Sequence, residues 1–333
     1  MDWSKGFTAS YYAHVVDVDT WSDAQRVEIL GGGVSCETSN LRQSADIEIT
    51  EQPDRERYYR IYLETTQGYD RERIPLFTGL VASPDRSIDG IREKYRCECY
   101  SVLKPCADIF LPRGWYAPAM VSCEAILKQL LAATPAPKVI EDNVPMLSNA
   151  IIAEDDETNL SMVDRIIRAI GWELVVDGDG IINVRKPDDR IKANFDALDY
   201  DVIEPQVTVV DDWFNAPNVY RVISDDLVAI ARDDNSDTPL SVAGRGREVW
   251  AQEVSADLAD NESVSDYAIR RLKEEQDKRL EISYKRRFNP NVFINDMVRL
   301  HYPAQKIEGT FRVVAQSMSL GHNCQVTESV KEV

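Results

Sequence analysis

The sequence predicts an α+β protein in which two strand-rich regions flank a helix-on-hairpin unit. Short segments with alternating apolar residues recur at regular spacing through the first hundred residues and return after Pro187. Between them, residues 158–186 change from a helical to a strand period. A chain of 333 residues exceeds the usual size of one hydrophobic core, so we expect roughly two to four subdomains.

The central unit begins with an amphipathic helix, which we predict over residues 160–170. Ser161 and Asp164 match the S-x-x-[DE] pattern found at helix starts, and Gly171 is the residue type that best tolerates the left-handed conformation at a helix end. The residues that recur at helical spacing are Leu160, Val163, Ile166, Ile167 and Ile170. Carboxylates at 154–157 complement the helix dipole, with a cation site as the alternative.

A β-hairpin over residues 172–185 is predicted to follow the helix. Trp172, Leu174 and Val176 alternate with their neighbours, and the Asp-Gly-Asp-Gly sequence at 177–180 supplies residues that accept positive φ. An EF-hand calcium loop would need further oxygen ligands at alternating positions and a Glu at the twelfth, whereas this chain continues into an apolar strand. We therefore interpret the tetrapeptide as a turn, with one helix packed across a two-stranded ribbon.

The region before this unit is strand-rich. Alternating segments lie at 11–18, 26–30, 45–50, 59–64, 74–81 and 95–100. The glycines at 31–33 are predicted to close the first pair of strands as a turn, since they lack the strand-turn-helix setting and the Lys-Ser/Thr partner of a phosphate loop. This spacing suggests a small antiparallel barrel or sandwich.

The insert itself supports one further short helix. An apolar-periodic run at 122–131 is bracketed by prolines, and Ser122 is a credible cap for it. The following segment, 140–157, is acidic and is predicted to be a loop.

The last third returns to strands. They are predicted at 206–210, 218–223, 227–231, 281–284, 297–301 and 310–314, with a final pair at 317–320 and 324–327. A turn is expected at 224–226, and residues 244–246 are expected to lie in a turn or loop. A charged helix is predicted over 264–280, beginning at the capping residue Ser263.

The order of these segments resembles that of baseplate hub and tail-tip proteins of bacteriophages, the group that includes late control protein D and the Mu-like and XkdQ-like hubs. The segments that carry the resemblance are Trp21, Gly-Val-Ser at 33–35, Ser-Ala-Asp-Ile-Glu-Ile at 44–49, Leu-Phe-Thr-Gly-Leu-Val at 76–81, Gly-Trp-Glu-Leu at 171–174, Asn-Ala-Pro-Asn-Val at 215–219, Asn-Asp-Met-Val-Arg-Leu at 295–300 and Gly-Thr-Phe-Arg-Val at 309–313. The resemblance covers nearly the whole chain.

The resemblance implies two tube-forming antiparallel β-barrel domains, at 1–107 and 201–333, with an α/β insert domain at 108–200. It further implies a homotrimer in which six barrels form a pseudo-sixfold ring. Such a hub joins the hexameric tail tube to a threefold tip or spike and lets DNA pass. The implied partners are the distal tail or tube protein, the spike or tip protein and the tape-measure protein. The implied location is the virion tail tip or baseplate, after assembly in the host bacterial cytoplasm.

Composition excludes several other classes. The net charge of −19, from 57 acidic and 38 basic residues, argues against a surface that grips phosphates, so we expect no sequence-specific binding of nucleic acid. We hypothesise instead that an acidic or neutral lumen lets DNA slide. No apolar run approaches the roughly 20 residues of a membrane span, and the start of the chain lacks the features of a signal peptide.

We predict no catalytic, cofactor-binding or metal site, and hence no enzyme. His14, His301 and His322 are far apart in sequence, which leaves a catalytic triad or a histidine metal site without neighbours. The cysteines are predicted to be reduced and mostly buried; they are Cys36, Cys97, Cys99, Cys106, Cys123 and Cys324. The run 97–106 comes nearest to a metal cluster but lacks a C-x-x-C knuckle.

Two alternative functions remain open on the sequence. The acidic doublets at 211–212 and 225–226 could pair as carboxylates for sugar cleavage. A cell-wall hydrolase in this group is usually an added C-terminal domain, for which we expect no room before Val333. Exposed aromatic pairs at 115–116 and 213–214 could instead serve a host-surface or carbohydrate-binding module, although we interpret them as interface or core residues.

Overall fold

The computed structural model describes residues 1–90, 92–200, 202–224, 227–254, 262–277 and 280–332, and shows a strand-rich α+β protein. The strands are β1 (Thr8–Asp17), β2 (Ser22–Glu37), β3 (Gln43–Ile49), β4 (Tyr58–Gln67), β5 (Asp70–Val81), β6 (Asp85–Asp89), β7 (Arg92–Ser101), β8 (Tyr116–Ala117), β9 (Lys138–Ile140), β10 (Ile151–Ile152), β11 (Glu173–Val176), β12 (Ile182–Arg185), β13 (Ile191–Asp196), β14 (Ile203–Asp211), β15 (Val219–Ser224), β16 (Leu227–Arg232), β17 (Trp250–Val254), β18 (Leu280–Arg287), β19 (Met297–Tyr302), β20 (Ile307–Ser319) and β21 (Gln325–Glu332).

Helices are few and short. They are α1 (Lys104–Ala107), α2 (Cys123–Leu130), α3 (Asn159–Ala169), α4 (Val242–Arg245) and α5 (Val264–Asp277), with 3₁₀ turns at Leu131–Ala133 and Pro303–Gln305. None of the helices in the described part of the chain has the length and apolar character needed to cross a membrane. The α+β class predicted from sequence is confirmed, with antiparallel pairing predominant.

One large sheet contains two groups of six long strands. In the first group, pairings run from β1 through β4, β5, β7 and β3 to β2, and β1 also pairs with β2, so the pairings form a closed cycle. In the second group, they run from β13 through β19, β20, β21 and β18 to β14. The groups join where β2 pairs with β20 in antiparallel register, with Ser35 opposite Ser317.

The two groups repeat one pairing pattern in the same chain order. In the first, β2 pairs with β3, β3 with β7, and β7 with β5. In the second, β14 pairs with β18, β18 with β21, and β21 with β20. The flanking pairs also correspond, since β1–β4–β5 matches β13–β19–β20, although β13 is parallel to β19. The groups are joined head to tail, because β2 of the first group pairs with β20 of the second, and β20 corresponds to β5 and not to β2 in the repeated pattern.

A single apolar core lies under both groups. It is formed by side chains at alternate strand positions, among them Ile47, Ile61 and Phe77 from the first group and Val298 and Val313 from the second. Because successive strand residues point to opposite faces, this alternation buries one face of each strand. The alternating segments predicted from sequence therefore supply the core.

Gly31–Gly33 is not the turn that the sequence predicted. All three residues lie inside β2, where the register against β3 shifts between Ile29 and Gly31. Gly32 has φ of 142°, and a Cβ there would lie 2.0 Å from the carbonyl oxygen of Asp46. The glycines therefore serve a β-bulge that lets one strand continue from the first group to the join.

The insert has its own core around α2 and α3. The hairpin of β11 and β12 is confirmed, and β9, which ends at Ile140, adds a third strand parallel to β12. The segment 140–157, predicted to be a loop, contains the short strand β10, which pairs with β8. β13, at the end of the predicted insert, pairs with β19 in the large sheet.

Helix α3 has the predicted extent but a different cap. Thr158 occupies the N-cap, where its side chain accepts a hydrogen bond from the Ser161 backbone and the Ser161 hydroxyl accepts one from Thr158 N–H. Ser161 is therefore the third helical residue, not the cap. Asp164 instead faces Arg42, with 2.5 Å between Nη2 and Oδ1. Gly171 has φ of 66°, as the predicted helix end requires.

A further three-stranded sheet is separate from the large one. Strands β15, β16 and β17 form it, and α5 packs on one of its faces through Tyr267 and Leu272. The sequence predicted strands at 218–223 and 227–231 and assigned them to the second barrel domain; they pair with each other and with β17 instead of joining the large sheet, because alternation reports a buried face but not which sheet a strand joins. Leu280 begins β18 rather than ending the predicted helix 264–280. The expected turn residues 225–226 lie outside the described residues.

Candidate functional site

The Asp-Gly-Asp-Gly turn at 177–180 docks the insert against the first strand group. Thr78 donates its hydroxyl to the carbonyl of Gly178 at 2.8 Å, and the Trp21 indole donates to the carbonyl of Asp179 at 2.9 Å. Arg60, which is buried, also donates to the Asp179 carbonyl at 3.1 Å. The turn predicted from sequence is thus a contact between the insert and the first strand group of the same chain. Its backbone carbonyl oxygens accept hydrogen bonds from side chains of that group.

Close packing fixes the glycine at position 178. A Cβ there would lie 2.0 Å from the carbonyl oxygen of Pro75, which is backbone and has little freedom to move. At Gly180, where φ is 75°, a Cβ would lie 2.8 Å from the Cβ of Thr78. The two glycines allow the turn to sit directly on β5.

A second set of polar contacts reaches the same part of the insert from β3. Gln43, which is buried, donates its side-chain amide to the carbonyl of Val176 at 2.6 Å. Burial raises the pKa of Asp164, while the charge of Arg42 opposes that rise. The position of the insert therefore depends on hydrogen bonds that replace water at buried polar groups.

A cavity of about 620 Å³ lies where the two strand groups and the insert meet. Its cationic groups are paired with carboxylates: Arg185 with Glu173 at 2.6 Å, Lys192 with Asp188 at 2.8 Å, and Arg286 with Glu328 at 2.5 Å. Burial raises the pKa of Glu173, against the effect of Arg185. The lining thus contains neutralised pairs.

Glu328 is the centre of a buried network in the second group. Its carboxylate accepts hydrogen bonds from Tyr284, from Arg286 and, at 2.6 Å, from the Gln316 side chain. Both charged residues are almost completely buried. Because a buried carboxylate needs such partners, the network fixes how β18, β20 and β21 pack.

The six cysteines are free and buried, as the sequence predicted. Burial raises the pKa of the Cys36 thiol to about 12, and that of Cys97, Cys106 and Cys123 to about 11. Thiolates are the reactive form of cysteine, so these side chains are poorly suited to nucleophilic chemistry near neutral pH. Among the described residues, no group of three or more His, Cys, Asp or Glu could hold a metal ion.

The other predicted site residues lie on different elements. His14 is on β1, His301 is on β19, and His322 follows β20. Asp211 ends β14, whereas 225–226 lie outside the described residues, so the suggested carboxylate pairing has no described geometry. Gly244 and Arg245 belong to α4, and Gly246 ends it with φ of 65°, rather than forming a loop.

The aromatic pair at 213–214 is exposed and held in place by arginines. Trp213 and Phe214 expose 56% and 59% of their surfaces, with their rings edge to face at 5.9 Å. Arg245 and Arg247 each donate to the carbonyl of Phe214, at 2.7 and 2.9 Å. In the other pair, Trp115 is half-buried and Tyr116 is exposed.

Sequence reasoning missed the open strand edges of the large sheet. Among the described residues, β6 pairs only with β7, β13 only with β19, and β14 only with β18. Each therefore presents one edge without a strand partner, which is a ready site for pairing with another strand. On β14 the Glu204 carbonyl already accepts a hydrogen bond from the Tyr302 hydroxyl, at 3.1 Å. The alternation in 206–210 predicted a strand but gave no sign of which edge would be covered.

Solved structures of phage tail proteins share this fold. The tail protein from Neisseria meningitidis MC58 superposes with a TM-score of 0.74 at 15% identity, covering 97% of this chain and 96% of that chain. The 43 kDa tail protein of prophage MuSo2 from Shewanella oneidensis gives 0.71 at 13% identity, with the same coverage. Prophage tail protein gp18 from Listeria monocytogenes EGD-e gives 0.60 at 11%, covering 97% and 94%.

No family model and no curated protein matches the sequence. At these identities the likeness is one of fold, and it extends over nearly the full length of both chains. The resemblance to phage tail proteins noted in the sequence is confirmed at that level.

Proposed function

We propose that this chain, which has the fold of solved phage tail proteins, is a structural component of a phage or phage-derived tail. Its place is the central hub at the tail tip or baseplate. There it joins the hexameric tail tube to the threefold tip or spike and lets DNA pass. The observation that carries the proposal is the pairing pattern that repeats across the two strand groups of the large sheet.

The repeat supports two tube-forming β-barrel domains, at 1–107 and 201–333. The first group contributes a closed cycle of six strands. The second contributes an equivalent row of six, whose first strand, β13, comes from the end of the insert range 108–200. The insert at 108–200 leaves the first group after β7, and the small sheet with α5 is a further insertion between β14 and β18. Two similar domains in one chain allow three copies to present six barrels.

The mechanism is geometric. Three chains with two barrels each match a sixfold tube on one side and a threefold spike on the other. The partners are then the distal tail or tube protein, the spike or tip protein and the tape-measure protein. A net charge of −19 favours a lumen that does not hold DNA phosphates.

A non-enzymatic role agrees with the described side chains. The thiols are buried with raised pKa values, and the cationic groups of the central cavity are paired with carboxylates. Such groups stabilise a scaffold but offer no free nucleophile or general base. A zymogram with bacterial cell walls tests this point, since a clear band would assign hydrolase activity.

One observation favours a second candidate, a host-surface-binding module. Trp213 and Phe214 expose their rings side by side. Aromatic faces of this kind stack on sugars, so binding of the purified chain to host cells, lost in Trp213→Ala, would support this function. An unchanged level of binding in that variant would exclude these rings as the site.

The experiment that tests the hub proposal uses particles made without the chain. We expect deletion of its gene to stop formation of complete tails, and complementation with a tagged chain to place the tag at the distal tip in immunogold micrographs. Complete, infective tails in the deletion strain would contradict the proposal. So would a tag distributed along the tube.

A further inference from the structure

We propose that the open edge of β14 pairs, antiparallel, with the open edge of β6 in a second copy of this chain. This inference rests on the proposed function, which supplies the ring of copies. The pairing would continue the large sheet from one subunit into the next. It would repeat, between chains, the join that β2 and β20 make within one chain.

The internal join is the template for this contact. β2 belongs to the first group, where β3 covers one edge, and its C-terminal half pairs with β20 of the second group. In the repeated pattern, β14 holds the place of β2, because each begins its group's run of pairings. β2 has a partner from the neighbouring group, whereas β14 has none among the described residues.

β6 holds the place of the outer half of β20. The first half of β20 pairs with β19, and its second half pairs with β21 and β2. In the first group, β5 pairs with β4, and then the end of β5 and all of β6 pair with β7. The outer half of β20 is covered by β2, but the same edge of β6 is open.

The register against the adjoining strand confirms the equivalence. Between Val313 and Ala315 the pairing of β20 with β21 shifts by one residue. Between Val81 and Asp85 the pairing with β7 shifts by one residue as well, since Val81 faces Cys99 and Asp85 faces Arg96. The irregularity thus falls at the same place in both groups.

One stretch of β14, residues 206–210, carries neither proline nor charge, although Pro205 precedes it and Asp211 follows it. Val209 and Val210 expose 47% and 57% of their surfaces, and no charged residue lies between Gln206 and Val210. Open edges usually carry lysine, proline or an inward-pointing charge that prevents unwanted pairing. Pro205 lies before the uncharged stretch of β14, so we expect pairing only from residue 206 onward. On the other side, β6 carries Asp85, Arg86 and Asp89, and its one apolar residue, Ile88, is 60% exposed. Pairing would cover these apolar groups.

The equivalence fixes the register on β14. Two matching rows of paired residues cross the groups: Val34, Ala45 and Cys99 in the first, and Val209, Ile282 and Val330 in the second. Val209 therefore corresponds to Val34. It follows that Thr208 corresponds to Gly33, the residue that faces Ser319 in the internal join.

The equivalence also fixes the register on β6. The two rows end at Cys99 of β7 and Val330 of β21. Three residues earlier in those strands, Arg96 pairs with Asp85 and Thr327 pairs with Ser317. Asp85 therefore corresponds to Ser317, and Ser87 corresponds to Ser319. Since Gly33 faces Ser319, Thr208 should face Ser87 of the partner subunit.

The template also shows which kind of pair this is. Leu320 donates its backbone N–H to Gly32 at 2.9 Å, so the adjacent pair of Gly33 and Ser319 is a non-hydrogen-bonded pair. Cα atoms in such a pair are about 4.5 Å apart, within the range that a disulfide can bridge. Thr208 and Ser87 of the partner subunit should therefore cross-link as cysteines.

A second copy fits better than another partner because the contact is head to tail. β14 and β6 are different surfaces of one chain, so every copy offers one of each. A heterologous contact of this kind closes into a ring when its rotation divides a full turn. With two equivalent groups per chain, a ring of three copies contains six equivalent joins: three β2–β20 joins within chains and three β14–β6 joins between chains.

The experiment is oxidation of the full chain carrying Thr208→Cys and Ser87→Cys. We expect a disulfide-linked ladder that ends at three copies and disappears on reduction. Equal mixing of the two single variants should stop at covalent dimers, because no chain then carries both cysteines. The control pair Thr208→Cys with Ser22→Cys, also on exposed strand positions, should give at least about tenfold less product.

A second variant tests the edge without cysteines. In the template, Val34 points its N–H toward β20, so Val209 should point its N–H toward the partner subunit and away from β18. Val209→Pro removes that donor at a position where an edge strand tolerates proline. We expect the oligomer to dissociate while the chain keeps its far-ultraviolet circular dichroism spectrum, which shows that the monomer is still folded.

The outcomes separate this inference from the proposed function. A trimer by mass that gives no ladder above the control overturns the β14–β6 contact and leaves the hub proposal standing. Val209→Pro that keeps the wild-type mass also overturns the contact. A ladder together with normal tails in the deletion strain would support the contact and contradict the hub role.

Discussion

Replacing Gly178 with alanine should loosen the contact between the insert and the first strand group. The added Cβ would lie 2.0 Å from the carbonyl oxygen of Pro75 and 3.2 Å from the backbone nitrogen of Leu76. Gly178 is not in the left-handed region, so alanine fits its backbone conformation and the effect reports the contact alone. The turn at 177–180 must therefore move off β5.

The magnitude follows from the hydrogen bonds that this movement breaks. Thr78 and Trp21 each make one neutral hydrogen bond to the turn, and each contributes about 1 kcal/mol. The Arg60 guanidinium adds a charged donor at 3.1 Å, which contributes about 1.5 kcal/mol or more. We expect the free energy of unfolding to fall by about 3.5 kcal/mol and the melting temperature by about 7 °C.

The assay is thermal and urea unfolding followed by circular dichroism, with Gly31→Ala as the matched control. Gly31 also lies next to β3, but nothing lies within 4 Å of its Cβ position, so that variant should change stability by less than about 0.5 kcal/mol. If Gly178→Ala melts together with the control, the docking of the turn does not stabilise the protein and our reasoning about the insert is wrong.

Three further predictions concern charge and thiols. Burial raises the pKa of Asp23, but hydrogen bonds from Tyr62 and Arg73 and the charge of Arg60 outweigh it, so the pKa lies below 3.8. The resulting stabilisation is present above about pH 4 and is lost as the pH falls through the lowered pKa. The unfolding free energies of wild type and Asp23→Asn should therefore differ by about 2 kcal/mol at pH 7, and this difference should vanish in acid. Glu328→Gln leaves a buried guanidinium without its anion and should cost about 3 to 5 kcal/mol, measured by urea unfolding. The native protein should leave its six cysteines unreactive toward a thiol reagent at pH 8, whereas all six should react in denaturant.

Each of these has a contradicting result. A difference for Asp23→Asn that persists unchanged below pH 3 would show that the carboxylate charge is not the source of the stabilisation. A loss below about 1 kcal/mol for Glu328→Gln would mean that the buried pair is dispensable. Rapid reaction of several thiols in the native protein would contradict their burial.

The sequence predicted best where a local pattern alone determines the structure. The helix predicted at 160–170 is found at Asn159–Ala169. An apolar stripe at helical spacing is a local pattern, and the positive φ of Gly171 ends the helix at the predicted place. The cap was displaced by one turn, because both Thr158 and Ser161 can accept a backbone hydrogen bond and the pattern does not distinguish them.

Long-range pairing was beyond local patterns. β9 joins β12 in parallel across about forty residues, and three residues carry no alternation from which to infer this. The strands predicted at 218–223 and 227–231 are present, but they form a separate sheet with β17, which the sequence did not indicate, since their alternation is the same whether the buried face meets α5 or a barrel core.

The candidate assembly surfaces were the least predictable part. The turn at 177–180 was identified, but its role in docking depends on Thr78 and Arg60, which lie about a hundred residues away in sequence. The edge of β14 is open because no described strand pairs with it on the side away from β18, and this depends on the whole sheet and not on the sequence of β14. A one-dimensional pattern records a strand and its faces but contains no information about its edges.

Electron cryomicroscopy of the purified assembly is the most direct test of the central claim, that two equivalent strand groups per chain build a ring. We expect a threefold particle of three 37.8 kDa chains, with six barrel-like densities around an open channel and sheet density that is continuous from β14 to β6 of the partner subunit. A twofold dimer, or a particle whose strand groups are not arranged around a channel, would contradict it.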